Sequence, residues 1–274
     1  MSEAAGIPRF SKICLAIGFF FLYAPMVVLI VYSFNDSDRV NIWGGFSNRW
    51  YGELFRDEAM MSALWMSLRL AFASATASVV LGMLAALVLT RVRNFRSKTL
   101  FGGMVTAPLV MPDVIIGLSL LLLFVGMANT FGWPAQRGFL TIWIAHVTFC
   151  MAFVTVVLSS RLRELDKSLE EAAMDLGASR LGTFFYITLP IIAPALASGW
   201  LLAFTLSLDD LVIASFVAGP SSTTLPMVVF SSVRLGLSPQ INALAALLIL
   251  AVSAAAMLAY LLTLRDERRR HEQA

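Results

Sequence analysis

Three carboxylates in strongly apolar surroundings are the residues of this sequence best placed to handle charge. Asp113 follows Pro112, and Asp209 and Asp210 are neighbours in the segment Ser-Leu-Asp-Asp-Leu-Val. Acidic side chains inside apolar segments are costly and usually face a cavity or a charged partner. We therefore expect these acids to line a pathway and to offset the charge of a cationic solute. An anionic solute is less favoured, because we place no basic residue in the middle of an apolar segment.

A structural role is the alternative for the adjacent pair. Asp209 or Asp210 would then cap a break in a helix, or would pair with Arg69 or Arg234. Successive helical residues point about 100° apart, so only one of the two is expected to face a pathway. The residues leave both interpretations open.

Enzyme chemistry has little support in the other residues. A phosphate-binding P-loop requires Gly-Lys followed by Ser or Thr, and none of the three lysines is in that context. His146 is the one histidine in an apolar run, and we expect it to be a hydrogen-bonded packing residue rather than a proton relay. The two cysteines also lie in apolar runs and are expected to be packed thiols. The sequence thus predicts no catalytic residue, no metal site and no cofactor bound by this chain.

The composition is that of an integral membrane protein. Of the 274 residues, 59% are hydrophobic and only 14% are charged, whereas about 25% are charged in a typical soluble domain. The net charge of +3 does not indicate nucleic-acid binding, because the basic residues cluster in short loops between apolar runs. Membrane topology explains such clusters better.

Six apolar runs predict six transmembrane helices of about 20 residues or more. Pro108 and Pro112 interrupt the third run, because each removes a backbone donor. A short helix over 49–55, lying on the membrane surface, is expected after the first run. The predicted spans are 13–34, 62–90, 100–127, 139–160, 191–217 and 239–264. The chain is therefore predicted to be an all-α membrane protein with a single transmembrane domain over 1–274.

The distribution of basic residues predicts the orientation of these spans. If the N-terminus is cytoplasmic, 14 of the 20 Lys and Arg residues lie on the cytoplasmic side and five lie on the other. Because cytoplasmic loops carry the excess of positive charge, both termini and the loop 161–190 are expected in the cytoplasm.

That loop contains a polar stretch, EAAMDLGASRLGTFFYITLP, over 171–190. A capping box from Ser168 to Glu171 predicts the start of a short helix, and Gly177 predicts its end. Its apolar residues share one face, and they are Leu169, Ala172, Ala173 and Leu176. So short a helix is marginal in water, so we expect 169–176 to dock on another surface. Leu189-Pro190 is expected to mark re-entry into the membrane. A generic interfacial helix is the alternative.

The same stretch resembles the loop of the permease subunits of binding-protein-dependent (type I) ABC importers. That family carries E-A-A-x-x-x-G-x(9)-I-x-L-P, and the fixed positions here are Glu171, Ala172, Ala173, Gly177, Ile187, Leu189 and Pro190. The resemblance implies the type I permease fold and a cytoplasmic coupling helix seated in a groove of an ATPase subunit. It also implies that partner ATPases, and not this chain, use ATP and Mg.

Three further segments resemble the polyamine branch of that family. They are Phe46–Tyr51, Met111–Gly117 and Ser207–Phe216. The resemblance implies import of putrescine from periplasm to cytoplasm across the bacterial inner membrane. It implies a second homologous permease, two ATPase subunits and a periplasmic binding protein as partners. On residues alone, spermidine or another small cation remains open.

Two alternatives come from other functional classes. An ion-coupled secondary carrier would use the intramembrane acids as a proton or sodium relay, and inverted repeats would favour it. We find no such repeats, and the complete coupling motif weighs against this alternative. A membrane enzyme is the third possibility, and no catalytic cluster supports it.

Overall fold

A computed structural model describes residues 9–40, 42–92, 95–235, 238–254 and 257. These residues are mainly helical, and their isolated β-bridge joins Asn35 to Phe46. The helices are α1 (Arg9–Tyr32), α2 (Arg49–Arg56), α3 (Glu58–Arg91), α4 (Lys98–Thr106), α5 (Asp113–Phe131), α6 (Phe139–Glu164), α7 (Lys167–Asp175), α8 (Arg180–Thr183), α9 (Leu189–Asp209), α10 (Val212–Val217), α11 (Leu225–Leu235) and α12 (Gln240–Ala254). A 3₁₀ turn (Ala107–Leu109) follows α4, and a π turn (Phe184–Thr188) joins α8 to α9.

Five helical segments of the described chain are long and apolar enough to cross a membrane. They are Phe10–Tyr32, Glu58–Arg91, Asp113–Phe131, Phe139–Glu164 and Arg180–Asp209. The first, second and fourth agree with the predicted spans. The shorter apolar helix α12 lies within the predicted sixth span, and the rest of that span, beyond residue 257, is outside the described residues.

The third predicted span, 100–127, is divided between two helices. α4 ends at Thr106, and α5 begins at Asp113. Pro108 lies in the 3₁₀ turn, and Pro112 has the extended backbone (φ −59°, ψ 138°) that precedes α5. The expected interruption is therefore confirmed, but it separates two helices because neither proline can donate to a helical ladder.

The fifth predicted span, 191–217, begins close to the start of α9 at Leu189 but was wrong at its C-terminal end. α9 ends at Asp209, although α8 and the π turn extend the helical segment back to Arg180. Asp210 has an extended backbone (φ −66°, ψ 123°), and the six-residue α10 follows. An internal break thus places the two adjacent acids in different structural settings.

Contacts between Cα atoms group the chain into two compact units, one from Ser62 to Val228 and one from Met1–Met61 with Val229–Ala274. In the Ser62–Val228 unit, α6 is the central helix, and 56% of its most apolar stretch is buried. Glycines bring its neighbours close: the Cα of Gly82 in α3 faces Val154, and Gly199 in α9 faces the same side chain. Small residues permit such close approach of membrane helices.

In the other unit, Asn35 organises the loop between α1 and α2. Its side chain donates to the carbonyl of Ile42 and accepts from the N–H of Gly44, both at 2.7 Å. The indole of Trp50 donates to its carbonyl at 2.7 Å. The predicted short helix is confirmed as α2, with Trp50 and Leu54 buried.

Candidate functional site

The predicted docking helix is present as α7, but its N-terminal cap differs from the prediction. Asp166, and not Ser168, is the capping residue, and its side chain accepts a hydrogen bond from the N–H of Ser168 at 2.9 Å. The predicted capping box at Ser168 was therefore wrong. The capping residue lies two positions earlier, and α7 begins at Lys167. Hydrogen bonds from Ser168 lower the pKa of the Asp166 carboxyl, because they favour its ionised form.

The C-terminal end of α7 is as predicted. Gly177 has φ +91°, a left-handed conformation that favours glycine. Its N–H donates to the carbonyl of Met174 at 2.9 Å, and the N–H of Ala178 donates to the carbonyl of Ala173 at 3.0 Å. This pair of bonds is a Schellman motif, which ends the helix while satisfying its last carbonyls.

The predicted apolar face of α7 is largely uncovered. Leu176 is 91% exposed and Leu169 is 47% exposed, while Ala172 is exposed and Ala173 is half-buried. Glu171, the first residue of the fixed motif, is also exposed. α7 thus presents its apolar side chains on the surface of a nine-residue helix, as a segment that docks on another protein does.

Another side of α7 is fixed by Glu170. Glu170 Oε1 accepts from Arg91 Nη2 at 3.0 Å and from Thr188 Oγ1 at 2.9 Å. Arg91 ends α3, and Thr188 ends the π turn before α9. No local pattern indicates this link, because Arg91 lies 79 residues away along the chain.

The last three motif residues lie at the junction between the π turn and α9. Ile187 is half-buried within the π turn, and Leu189 and Pro190 are the first residues of α9. Proline has no N–H for the carbonyl four residues earlier, so Pro190 permits the wider turn that precedes it. Ser179 caps α8 by accepting from the N–H of Gly182 at 3.1 Å.

The two neighbouring acids have different surroundings. The Asp210 side chain is 7% exposed, and it accepts from the N–H groups of Ile213 at 3.3 Å and Ala214 at 2.7 Å. It therefore caps the first turn of α10, which is the structural alternative considered for the pair. Asp209, at the end of α9, is exposed.

Asp210 pairs with His146 rather than with the expected Arg69 or Arg234. His146 Nε2 lies 3.1 Å from Asp210 Oδ2, and His146 Nδ1 lies 2.7 Å from Ser207 Oγ. With its proton on Nε2, the imidazole donates to the carboxylate and accepts from the hydroxyl. The expectation that His146 is a hydrogen-bonded packing residue is confirmed, since it is 1% exposed.

Asp113 is exposed at the first position of α5. One turn later, Gly117 meets α10 so closely that an added Cβ would lie 3.3 Å from the Cα of Ile213. The start of α5 therefore packs against α10, and Asp113, like Asp209, is exposed.

Metal-binding chemistry has no cluster to support it within the described residues. Both cysteines are free. Cys150 is buried, as expected of a packed thiol, whereas Cys14 is exposed on α1 and that expectation was wrong.

Comparison with known proteins agrees with this arrangement. The family described as "Binding-protein-dependent transport system inner membrane component" matches residues 78–271. The chain is 64% identical to the putrescine transport system permease protein PotI of Escherichia coli strain K12, over 94% of this chain and 92% of that protein. It is 42% identical to the spermidine/putrescine transport system permease protein PotC of the same strain, over 90% of each.

Solved structures share the fold. A bacterial ABC transporter involved in the import of the acidic polysaccharide alginate aligns with a TM-score of 0.70 at 16% identity, covering 93% of this chain and 94% of that one. The MetNI methionine ABC transporter aligns with a TM-score of 0.59 at 17% identity, covering 74% and 95%. The matched family region and the two permease relatives establish that the chain belongs to the family of binding-protein-dependent transport system inner membrane components.

Proposed function

We propose that this chain is the transmembrane permease subunit of an ATP-driven importer that moves putrescine from the periplasm to the cytoplasm. The observation that carries the proposal is α7, a helix capped at both ends with an uncovered apolar face. Such a helix suits the groove of an ATPase subunit. The choice of putrescine is supported by the 64% identical relative named for putrescine transport, against 42% for the relative named for spermidine and putrescine.

The proposed topology has six spans in one permease domain, with both termini and α7 in the cytoplasm of a bacterium and the chain in its inner membrane. It is supported by the 14 basic residues that this arrangement places on the cytoplasmic side, against five on the other. Labelling of single cysteines at positions 167 and 135 from either side of the membrane tests it. Position 167 should react only from the cytoplasm and position 135 only from the periplasm.

The proposed assembly contains a second homologous permease, two ATPase subunits that use ATP and Mg, and a periplasmic binding protein. This chain takes no catalytic part in it. Glu171, Ala172, Ala173 and Gly177 form the seat and turn of the coupling helix, and Ile187, Leu189 and Pro190 form its connection to α9. Deleting 168–178 should release the ATPase from the purified complex. Retention of the ATPase by that deletion would contradict the coupling role.

The proposed pathway is lined by Asp209 and Asp113, whose exposed carboxylates offset the charge of the diamine. Asp210 was the third candidate, and its contacts favour a supporting role at the helix break. Asp209→Asn should therefore reduce putrescine uptake several-fold without loss of assembled complex. Wild-type uptake by the double variant Asp113→Asn, Asp209→Asn would contradict the pathway.

Reconstitution of the full complex in liposomes tests the function itself. ATP-dependent uptake of putrescine is expected to exceed that of spermidine, and sulfate should not be transported. Uptake of the anion alone would overturn the substrate class. Uptake driven by an ion gradient without ATP would favour a secondary carrier.

A further inference from the structure

A single carboxylate oxygen joins three separate helical elements at the base of α7. Glu170 Oε1 receives both the guanidinium of Arg91 and the hydroxyl of Thr188. The first partner ends α3, and the second lies immediately before α9. Both α3 and α9 belong to segments long and apolar enough to cross a membrane. Glu170 is thus the point at which α7 is held to two such segments at once.

The surroundings of this contact make it stronger than an ordinary surface pair. The Arg91 and Glu170 side chains are 18% and 17% exposed, so solvent screens them only in part. By contrast, the nearby pair of Arg161 and Glu164, 3.2 Å apart, is 48% and 63% exposed. Exposed pairs of that kind contribute little.

A cavity of about 430 Å³ beside the contact gives it room to move. Its lining includes Arg91, Glu170, Thr183 and Thr188. The Arg91 Nε atom and the Thr183 hydroxyl are buried there without a hydrogen-bond partner among the described residues. Arg91 therefore keeps a spare donor and free space, so it can follow Glu170 when α7 tilts. A tightly packed pair would break under the same movement.

We propose that Glu170, through Arg91 and Thr188, is the positioning residue that transmits movement of α7 to α3 and α9 during transport. The inference rests on the proposed function, in which α7 is driven by an ATPase. It assigns transmission to Glu170 and leaves docking to the uncovered apolar face of Leu169, Ala172, Ala173 and Leu176.

The test uses the complete complex in liposomes and measures putrescine uptake and ATP hydrolysis in the same vesicles. Glu170→Gln should lower uptake per ATP hydrolysed by about 5-fold or more, the lower end of typical coupling between sites. Arg91→Met should have a similar effect, and the double variant should fall no further, because both act through one contact. The amount of assembled complex should not change.

Charge exchange supplies the positive control. Arg91→Glu combined with Glu170→Arg restores an ion pair, and should recover part of the lost uptake per ATP. Glu164→Gln removes the exposed pair on the same side of the protein and should leave the ratio unchanged. A merely structural role for Glu170 would lower the yield of complex and leave the ratio at its wild-type value.

Several results would overturn the inference. A wild-type ratio in Glu170→Gln, or a fall in the double variant equal to the product of the single falls, would do so. If Glu170→Gln does not assemble, Thr188→Val decides, because it keeps both charges and removes only the hydroxyl bond. A wild-type ratio in Thr188→Val would then count against transmission. If the wild-type complex shows no ATP-dependent uptake, the proposed function fails first.

Discussion

Asp210 and Glu170 lie in the same unit, and both carboxylates are held by partners from this chain. The regions around them differ in how far the chain covers them. Asp210 is enclosed by partners from this chain: His146 on one oxygen and the first turn of α10 on both. Glu170 also finds its partners within the chain, but the helix that carries it leaves its apolar side uncovered. The side chains around Asp210 are enclosed by this chain alone, whereas the apolar side of α7 is uncovered.

The largest expected effect is at the buried cluster. His146→Leu leaves the Ser207 hydroxyl and the Asp210 carboxylate without their partner, and each buried unsatisfied group costs about 1–3 kcal/mol. We expect a clear fall in the thermal stability of the purified protein in detergent. Ser215→Ala, which removes an exposed hydroxyl bonded to its own helix, should have little effect. Equal stability of His146→Leu and wild type would mean that the buried cluster does not stabilise this region, and the contrast with the uncovered face of α7 would fail.

A smaller loss is expected where helices meet through glycine. An added Cβ at Gly82 would lie 2.8 Å from Val154 Cγ1, and such overpacking costs about 1–3 kcal/mol. Gly82→Ala should therefore lower the thermal stability of the protein. Gly103→Ala in α4, where nothing lies within 4 Å, is the matched control and should stabilise by up to about 1 kcal/mol. Similar results at the two sites would indicate that the core has spare room.

Truncation of the apolar face of α7 should have the opposite pattern. It should leave the stability of the isolated chain unchanged and weaken only the association with a partner. Leu169→Ala with Leu176→Ala should change the stability of the isolated chain by less than about 0.5 kcal/mol, as is usual for surface positions. Retention of the ATPase during purification should fall sharply. Leu181→Ala, which truncates another exposed side chain outside α7, is the control. Loss of stability in the isolated double variant would mean that this face is already covered.

The smallest effect concerns the cap of α7 and its pH dependence. Because the pKa of Asp166 is lowered in the folded state from 3.8, its cap stabilises α7 above that value, and the stabilisation is lost as the pH falls through the lowered pKa. Hydrogen exchange of the α7 amides, corrected for intrinsic rates, should be faster in Asp166→Ala at neutral pH. Asp166→Asn retains a good cap and should remove the acid dependence. An acid dependence that survives in Asp166→Asn would assign it to another group.

Local rules predicted much of α7 and failed where two local solutions compete. Gly177 ended the helix as expected, because only a left-handed residue completes the Schellman bonds. Asp166 and Ser168 are both good capping residues two positions apart, so the sequence could not choose between them. Likewise, Pro108 and Pro112 indicated an interruption, but whether it kinks one helix or separates two depends on the packing around it.

The sequence by itself determined the apolar runs, the coupling motif and the family, because these depend on composition and on spacing within short windows. Only the tertiary structure decided which acid is buried and which is exposed. Asp210 is paired with a histidine 64 residues away, and Glu170 with an arginine 79 residues away. No periodic pattern in the sequence indicates contacts between residues so far apart, because these contacts follow from how α3, α6 and α9 pack. For α7, folding fixes one side through Glu170 and leaves the apolar side uncovered.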